Sequence, residues 1–410
     1  MEAIVERCAG LDVHQATVVA CLNIGAVATK PSKQIRTFGT TLCALEELRD
    51  WLKANGCTLV AMESTGIYWK PVYAVLEGHF ELVVGNAQHI RNVPGRKTDV
   101  KDCDWISDLA RHGLIAKSFV PPQPIRDLRD LTRYRCKLTQ AGSAERNRLL
   151  RLLESANIKL SGVASDPFGV SGWAMLEALV DGERSPAEMA QLARGRMRRK
   201  LHELERALHG RLEEHHRFLL GIQMRRIETM EADVAELDRR LRAKLAPYSR
   251  EMSLLQQIPG VDWVTAATII AEIGVDMSAF VNAAHLASWA SMCPGNYESA
   301  GKRRGGKTRK GNVHLKTALV LAARAAGKTK GTYLADKYRR LKARRGALRA
   351  GVAIGHKILV TAYRMLSGGT DYTDLGDGYL DRLNVRRNAG NLLRRLRQMG
   401  YDVQISAKAA

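Results

Sequence analysis

Four acidic side chains near the start of the chain could together bind a divalent cation. Asp99 and Asp102 follow a basic, glycine-containing turn, and their three-residue spacing places them on one face of a predicted helix. Asp12 and Glu63 lie in two apolar, strand-like segments. Mg²⁺ takes oxygen ligands, and enzymes that process phosphates often hold two such ions with carboxylates. Asp99 and Asp102 alone are typical of a helix N-terminus, but the combination with Asp12 and Glu63 predicts a magnesium site.

A second stretch that could do chemistry is a loop rich in glycine and cations, residues 292–312. Between residues 298 and 350 there are 17 Lys and Arg against two acids, and glycine lets a backbone approach phosphate closely. Ser299 lies in this loop without a neighbouring histidine, so its residue type alone is more typical of a turn than of a nucleophile. The cations expected to contact nucleic-acid phosphates are Lys97, Lys302, Arg303, Arg304, Lys307, Arg309 and Lys310.

The positive charge of the chain is confined to its second part. Residues 1–120 hold 13 basic and 13 acidic side chains, so residues 121–410 carry the whole net charge of +22. This asymmetry predicts catalysis in the neutral part and polyanion binding in the basic part. Seven single cysteines without a Cys-x-x-Cys pair argue against zinc ribbons and disulfide scaffolds. Without a signal peptide or an apolar run of roughly 20 residues, a cytoplasmic protein with no membrane partner is expected.

The neutral part alternates between strand-like and helix-like segments. Two strands are predicted within residues 8–22, and the remaining strands and helices at 34–38, 42–54, 57–62, 68–76 and 80–84. This order predicts a mixed sheet flanked by helices, with acids at the carboxyl ends of strands, where open α/β sheets place their sites. The pattern resembles the RuvC-like (RNase H-like) nuclease fold, which implies the ligand set Asp12, Glu63, Asp99 and Asp102. Asp104 and Asp108 are interpreted as solvated helix acids.

The basic part is predicted to be mainly helical. After a proline-rich link at residues 121–124, a long helix carries the arginines expected to contact nucleic acid, Arg126, Arg129 and Arg133. A salt-bridged surface helix is the alternative interpretation. Within residues 187–245, apolar side chains recur at three- and four-residue steps, which predicts a dimerising coiled-coil spacer. Helix packing inside one chain is the alternative there.

A helix-hairpin-helix element is predicted between residues 254 and 274. Two apolar helical segments flank Pro259-Gly260, and backbone N–H groups at such a hairpin can hold a nucleic-acid phosphate. We therefore expect a phosphate contact at Gly260. A Pro-Gly turn between two packed helices would produce the same pattern without any ligand.

Taken together, these features resemble the insertion-sequence transposases of the one-ten family. The resemblance rests on the four acids, the Glu63-Ser64-Thr65-Gly66 and Lys97-Thr98-Asp99 signatures, and a Ser-x-Gly loop that ends in Gly311-Asn312. It spans nearly the whole chain. It implies a DNA recombinase directed by a structured bridge RNA, in which Ser299 forms a phosphoserine link with DNA while the four acids hold Mg²⁺, or Mn²⁺ in its place.

The resemblance also implies partners and a domain plan. The partners are donor and target DNA, the bridge RNA and further copies of the chain, as a dimer that assembles to a tetramer, in a prokaryotic cytoplasm and at the nucleoid during the reaction. The plan comprises a RuvC-like catalytic domain (1–120), an arginine-rich helix with a connector (121–185), a coiled-coil spacer (186–248), a mainly α-helical transposase domain (249–370) and a basic tail (371–410).

Two rival functions are left open by the residues themselves. A junction-resolving endonuclease would use two metals and water, and Ser299 would then be structural. A scaffold that only binds RNA or DNA would carry a decayed nuclease domain, yet all four acids are present. Ser288 and Ser291 are alternative nucleophiles that lie outside the basic loop.

Overall fold

The structure is a computed structural model, and it describes residues 2–64, 66–91, 93, 102–294, 298–299, 301–303, 308, 311–383 and 385–404. For residues 298–299 and 302–303 it describes the backbone. The chain divides into two compact units, one ending at Val120 and one beginning at Pro121.

The first unit is a five-stranded sheet with helices. Its strands are β1 (Arg7–Val13), β2 (Thr17–Ile24), β3 (Ser32–Gly39), β4 (Leu59–Glu63) and β5 (Glu81–Gly85), and its helices are α1 (Leu42–Ala54), α2 (Trp69–Leu76), α3 (Ala87–Arg91) and α4 (Asp102–Arg111). The strand order is β3-β2-β1-β4-β5. β2 is antiparallel to both of its neighbours, whereas β1, β4 and β5 run parallel. The predicted mixed sheet is therefore confirmed.

Helices cover both faces of this sheet because β1, β2, β4 and β5 are largely buried on both sides, whereas β3 at the edge is mostly exposed. Leu45, Leu48 and Leu52 form the buried face of α1, as their spacing predicts, and pack with α2 on one face. Ile106 and Leu109 of α4 pack on the other face. Along β4, Val60 and Met62 join the first cluster and Ala61 the second, which is the two-residue alternation of a strand.

The second unit is largely helical. Its helices are α5 (Gln123–Ser155), α6 (Leu160–Val163), α7 (Val170–Asp181), α8 (Pro186–Ala190), α9 (Leu201–Leu208), α10 (Glu214–Leu245), α11 (Ser249–Gln256), α12 (Trp263–Ile273), α13 (Ala283–Trp289), α14 (Val313–Ala326), α15 (Tyr333–Arg345), α16 (Ala347–Gly368), α17 (Tyr379–Arg382) and α18 (Val385–Gln398). Two short strands, β6 (Glu298–Ser299) and β7 (Lys302–Arg303), pair as a hairpin. No helix among the described residues is long and apolar enough to cross a membrane.

The predicted coiled-coil spacer is not one uninterrupted helix. The helical region is interrupted between α9 and α10, at residues 209–213, and Leu204 and Leu208 of α9 are buried in a core shared with α7. The long helix α10 packs against α5 of the same chain. Its apolar stripe therefore lies in an intramolecular interface, which was the alternative interpretation.

Two ion pairs show the relative direction of α5 and α10. Arg135 of α5 contacts Asp238 of α10 at 2.5 Å, and Lys244, near the end of α10, contacts Asp127, near the start of α5, at 2.9 Å. The two helices are thus antiparallel, and the burial of their apolar stripe stabilises the pair.

Candidate active site

Strand register brings Asp12 and Glu63 to the same edge of the sheet. β1 and β4 are parallel neighbours in which Leu11 lies opposite Met62, and both acids follow one residue later. Leu11 and Met62 pack toward α1 and α2. Because successive side chains of a strand alternate between faces, Asp12 and Glu63 both lie on the α4 face.

The helix α4 adds Asp102 at this edge. It begins at Asp102 beside the carboxyl end of β1 and runs back along the strand, so that the carbonyl of Arg111 accepts a hydrogen bond from the N–H of Ile4 at 2.9 Å. The close packing depends on Gly10, where an added Cβ would lie only 2.3 Å from the carbonyl oxygen of Cys103. Glycine at this position of β1 thus allows the first turn of α4 to approach the strand.

The chemistry of this edge suits a hard cation. Asp12 is about a quarter exposed, and its Oδ2 lies 3.1 Å from Nε2 of His14. Asp12, Glu63 and Asp102 offer only carboxylate oxygens, the ligands that Mg²⁺ and Mn²⁺ prefer. Within the described part of the chain, their ligand atoms do not form a set lying within 4.8 Å of one another.

The interpretation of Asp104 and Asp108 as solvated helix acids is wrong. Lys33 of β3 donates to Asp104 at 2.5 Å and to Asp108 at 2.9 Å, and the buried Asn23 donates to Asp108 at 3.1 Å. Burial opposes the charge of Lys33, but these hydrogen bonds dominate and raise its pKa. Both acids therefore join α4 to β2 and β3, away from the carboxyl edge of the sheet.

Two predicted residues of this site, Asp99 and Lys97, lie outside the described residues. The same holds for Arg304, Lys307, Arg309 and Lys310 of the basic loop. Their assignments stay predictions.

The backbone of Ser299 lies in a tight hairpin. Ser299 pairs with Lys302, and Gly301 between them has a φ of +72°, a conformation that glycine adopts without strain. The spacing Ser299-Ala300-Gly301 thus has a local structural reason. We call β6, β7 and the turn between them the serine hairpin.

The two alternative nucleophiles, Ser288 and Ser291, differ in their exposure to solvent. Ser288 is exposed on α13. Ser291 is buried, has a φ of +53°, and packs so closely against Gly311 that a Cβ added there would lie 2.0 Å from its Oγ. Ser291 thus contributes to packing at the base of the loop.

The arginines of α5 turn inward to an acid that was not among the predicted site residues. Glu272 of α12 is fully buried and accepts two hydrogen bonds from Arg133, at 2.7 and 2.8 Å. Arg129 lies 3.3 Å from the same carboxylate and donates to two carbonyls at the end of α12. Arg126 donates to the carbonyl of Pro121 and to Gln123. The interpretation of Arg129 and Arg133 as free phosphate contacts is therefore replaced by ion pairing inside the fold.

The pKa of Glu272 follows from this environment. Burial raises the pKa, but the hydrogen bond from Arg133 and the charges of Arg129 and Arg133 outweigh it and hold the pKa below its ordinary value. A single acid inside the apolar segment from Ala266 to Ile273 was the available signal in the sequence, because such a charge needs a partner when it is buried.

The helix-hairpin-helix is formed by α11 and α12, and its glycine is needed for packing. A Cβ at Gly260 would lie 2.3 Å from the carbonyl oxygen of Ala322 in α14, and Gly260 has a φ of +85°. The carboxylate of Asp262 caps the start of α12 by accepting from Thr265 N–H at 2.8 Å. A phosphate would meet this carboxylate, so the geometry favours the packing interpretation of Gly260.

Comparisons with known proteins indicate the class to which this chain belongs. The class that they indicate is a transposase: a family model for DEDD transposases matches residues 9–158, which include Asp12, Glu63 and Asp102. A second model, for transposases of the IS116/IS110/IS902 family, matches residues 252–339, which include Ser299. The chain belongs to the IS110 family of insertion-sequence transposases.

A curated relative supports the same assignment. The chain is 29% identical over 143 residues to the transposase for insertion sequence element IS1111A of Coxiella burnetii (strain RSA 493 / Nine Mile phase I). The alignment covers 34% of this chain and 39% of the relative's length.

Proposed function

We propose that this protein is an RNA-guided DNA recombinase that moves an insertion sequence through a phosphoserine intermediate. The observation that carries the proposal is the convergence of Asp12, Glu63 and Asp102 on one sheet edge in a member of a transposase family. Ser299, in a tight hairpin within the second matched region, supplies the proposed nucleophile.

The proposed reaction is a transesterification. The hydroxyl oxygen of Ser299 attacks a DNA phosphorus, the bond from that phosphorus to a deoxyribose oxygen breaks, and the leaving oxygen takes up a proton. The serine proton passes to a base or to solvent. A serine hydroxyl is a weak nucleophile at neutral pH, and charge builds on the phosphoryl oxygens during the attack. Asp12, Glu63, Asp102 and Asp99 would hold Mg²⁺, and a bound divalent ion supplies charge stabilisation to phosphoryl transfer.

The charge distribution supports nucleic-acid partners for residues 121–410. This part carries the whole net charge of +22, and its last helices expose arginines on their surfaces. Phosphate neutralisation of this kind supplies affinity without reading sequence. We propose that target choice lies in a structured guide RNA encoded by the element, and that donor and target DNA are the substrates.

The test is a search for a covalent protein–DNA adduct. The protein is incubated with the RNA transcribed from its flanking element, Mg²⁺ and labelled donor and target DNA, and the products are resolved on a denaturing protein gel. We expect a labelled adduct in the wild type, no adduct in Ser299→Ala, and adduct formation slowed at least about 100-fold in Asp102→Asn. Ser288→Ala removes an exposed hydroxyl nearby in the chain and should react like wild type.

The opposite pattern would identify the rival nuclease. DNA cleavage that persists in Ser299→Ala and is lost in Asp102→Asn would show that water is the nucleophile. An adduct that persists in Ser299→Ala but disappears in Ser288→Ala would move the nucleophile to Ser288.

A further inference from the structure

A buried carboxylate connects two helices to the exit of the basic loop. Glu272 has no exposed surface, and the guanidinium of Arg133 donates two hydrogen bonds to its carboxylate, at 2.7 and 2.8 Å. A charge without solvent contact needs such partners, because desolvation is otherwise strongly unfavourable. Oε2 of Glu272 lies 3.3 Å from Nε of Arg129 and accepts a further hydrogen bond from the amide of Asn312 at 2.6 Å.

Asn312 has two partners, one on each atom of its side-chain amide. Its Nδ2 donates to Glu272, while its Oδ1 accepts from the backbone N–H of Leu315 at 3.0 Å and caps the start of α14. The single side chain thus joins α12 to the first turn of α14. It stands at the end of the loop that contains the serine hairpin, directly after Gly311.

Further contacts fasten the loop close to Asn312. Gly311 packs against the buried Ser291, Pro294 forms an isolated backbone bridge with Thr308, and Lys316 of α14 donates to the hydroxyl of Thr308. The loop is therefore held against the helical body at Pro294, Thr308 and Gly311. Glu272 is the buried charge that holds Asn312 at the end of this loop.

We propose that Glu272 is a positioning residue that anchors the serine hairpin through Asn312. It does not touch the reacting atoms. The link from Glu272 to Asn312 fixes the position at which the loop joins α14. It thereby restricts where the backbone of the serine hairpin can lie. The importance of this anchor for strand exchange rests on the proposed function. If Ser299 is the nucleophile, a displacement of about 1 Å can reduce the reaction rate about 100-fold.

Asn312→Ser is the variant that isolates the anchor. Serine is also a good N-cap, so α14 keeps its start, but serine has no amide to donate to Glu272. Asn282→Ser is the matched control, because Asn282 caps α13 in the same way, by accepting from His285 N–H at 2.9 Å, on a helix that contributes no hydrogen bond to Glu272 among the described residues. Both variants are made in the full chain and should stay folded at the temperature of the measurement, with Asn312→Ser melting lower than Asn282→Ser because the buried Glu272 loses a donor.

The first measurement is hydrogen–deuterium exchange in peptides that contain residues 298–303. We expect exchange at least about ten-fold faster in Asn312→Ser than in wild type or Asn282→Ser. Equal exchange in Asn312→Ser and Asn282→Ser would overturn the anchor, whether or not the protein reacts with DNA. This readout is independent of activity.

The second measurement is the single-turnover rate of adduct formation at saturating DNA. We expect Asn312→Ser to lower this rate at least about ten-fold while its affinity for DNA stays that of wild type. An unchanged rate in Asn312→Ser would overturn the positioning role. A wild type that forms no adduct would refute the proposed function of Ser299, while faster exchange in Asn312→Ser would still support the anchor.

Discussion

At the level of single residues, the placement of Asp102 beside Asp12 and Glu63 depends on Gly10, which has no side chain. Gly10 lies between two residues that face α1 and α2, and its missing Cβ leaves the space into which α4 fits. The atoms nearest to a Cβ added at this position would be backbone atoms of Cys103 and Ser107, at 2.3 Å each. Backbone cannot turn aside as a flexible side chain can, so the helix itself would have to move.

Gly10→Ala should therefore destabilise the protein and displace Asp102. Overpacking of this kind costs about 1–3 kcal/mol in the free energy of unfolding, measured by urea denaturation. Gly39→Ala is the matched control, because a Cβ there meets only the Cβ of Ala44 at 3.4 Å, an ordinary contact. Equal stabilities of the two variants would contradict the close approach of α4 to β1.

At the level of helices and strands, buried charge joins elements that are distant in sequence. Glu272 of α12 is held by Arg129 and Arg133 of α5, and Arg129 also satisfies the last carbonyls of α12. Arg129, Arg133 and Asn312 together compensate the desolvation of this carboxylate, and its pKa is lowered as a result. The pairing of α5 with α12 is accordingly sensitive to the charge of a single side chain.

Glu272→Gln should lower the free energy of unfolding by about 3–5 kcal/mol at pH 7, since two arginines lose a buried partner. A carboxyl whose folded pKa is depressed stabilises the fold above its unfolded pKa and loses that contribution as pH falls through the folded pKa. The difference between wild type and Glu272→Gln should therefore be full at pH 7 and shrink below about pH 4.5. Glu228→Gln, on an exposed position of α10, should differ little from wild type at either pH. Urea titrations at several pH values would measure both differences.

At the level of the complete chain, the net charge is distributed unequally between the two units. The first 120 residues are neutral by formal count and the rest carries +22. Where affinity for nucleic acid comes from phosphate neutralisation, the logarithm of the binding constant falls linearly with the logarithm of salt concentration. The helix α18 exposes Arg394 and Arg397 without an ion pair among the described residues.

Arg394→Ala combined with Arg397→Ala should reduce the salt slope of RNA or DNA binding by up to about 2, roughly one per lost phosphate contact. Lys30→Ala combined with Lys53→Ala removes the same charge from exposed positions of the neutral unit and should leave the slope unchanged. Fluorescence anisotropy at several salt concentrations would give both slopes. Equal effects of the two pairs would show that net charge alone, and not the basic surface of α18, determines affinity.

Local sequence patterns were sufficient to predict the strands of the first unit, the helices α1, α2 and α4, and the strand-end positions of Asp12 and Glu63, but they missed the short helix α3. These follow from local rules, because apolar periodicity reports which face of a strand or helix is buried and turn residues mark its ends. The bounds of α1, Leu42–Ala54, agree with the predicted segment 42–54. The family resemblance, carried by the acids and the Ser-x-Gly loop, was likewise available from the sequence.

The partners of the charged side chains, in contrast, became known only from the packing of the folded chain. Lys33 meets Asp104 across 71 residues, and Arg133 meets Glu272 across 139 residues. No local pattern encodes such partners, and a cation that faces solvent looks the same in the sequence as one that neutralises a buried acid. The apolar stripe of α10 was ambiguous for the same reason, since a seam that pairs with α5 of its own chain has the same period as one that pairs with a second copy.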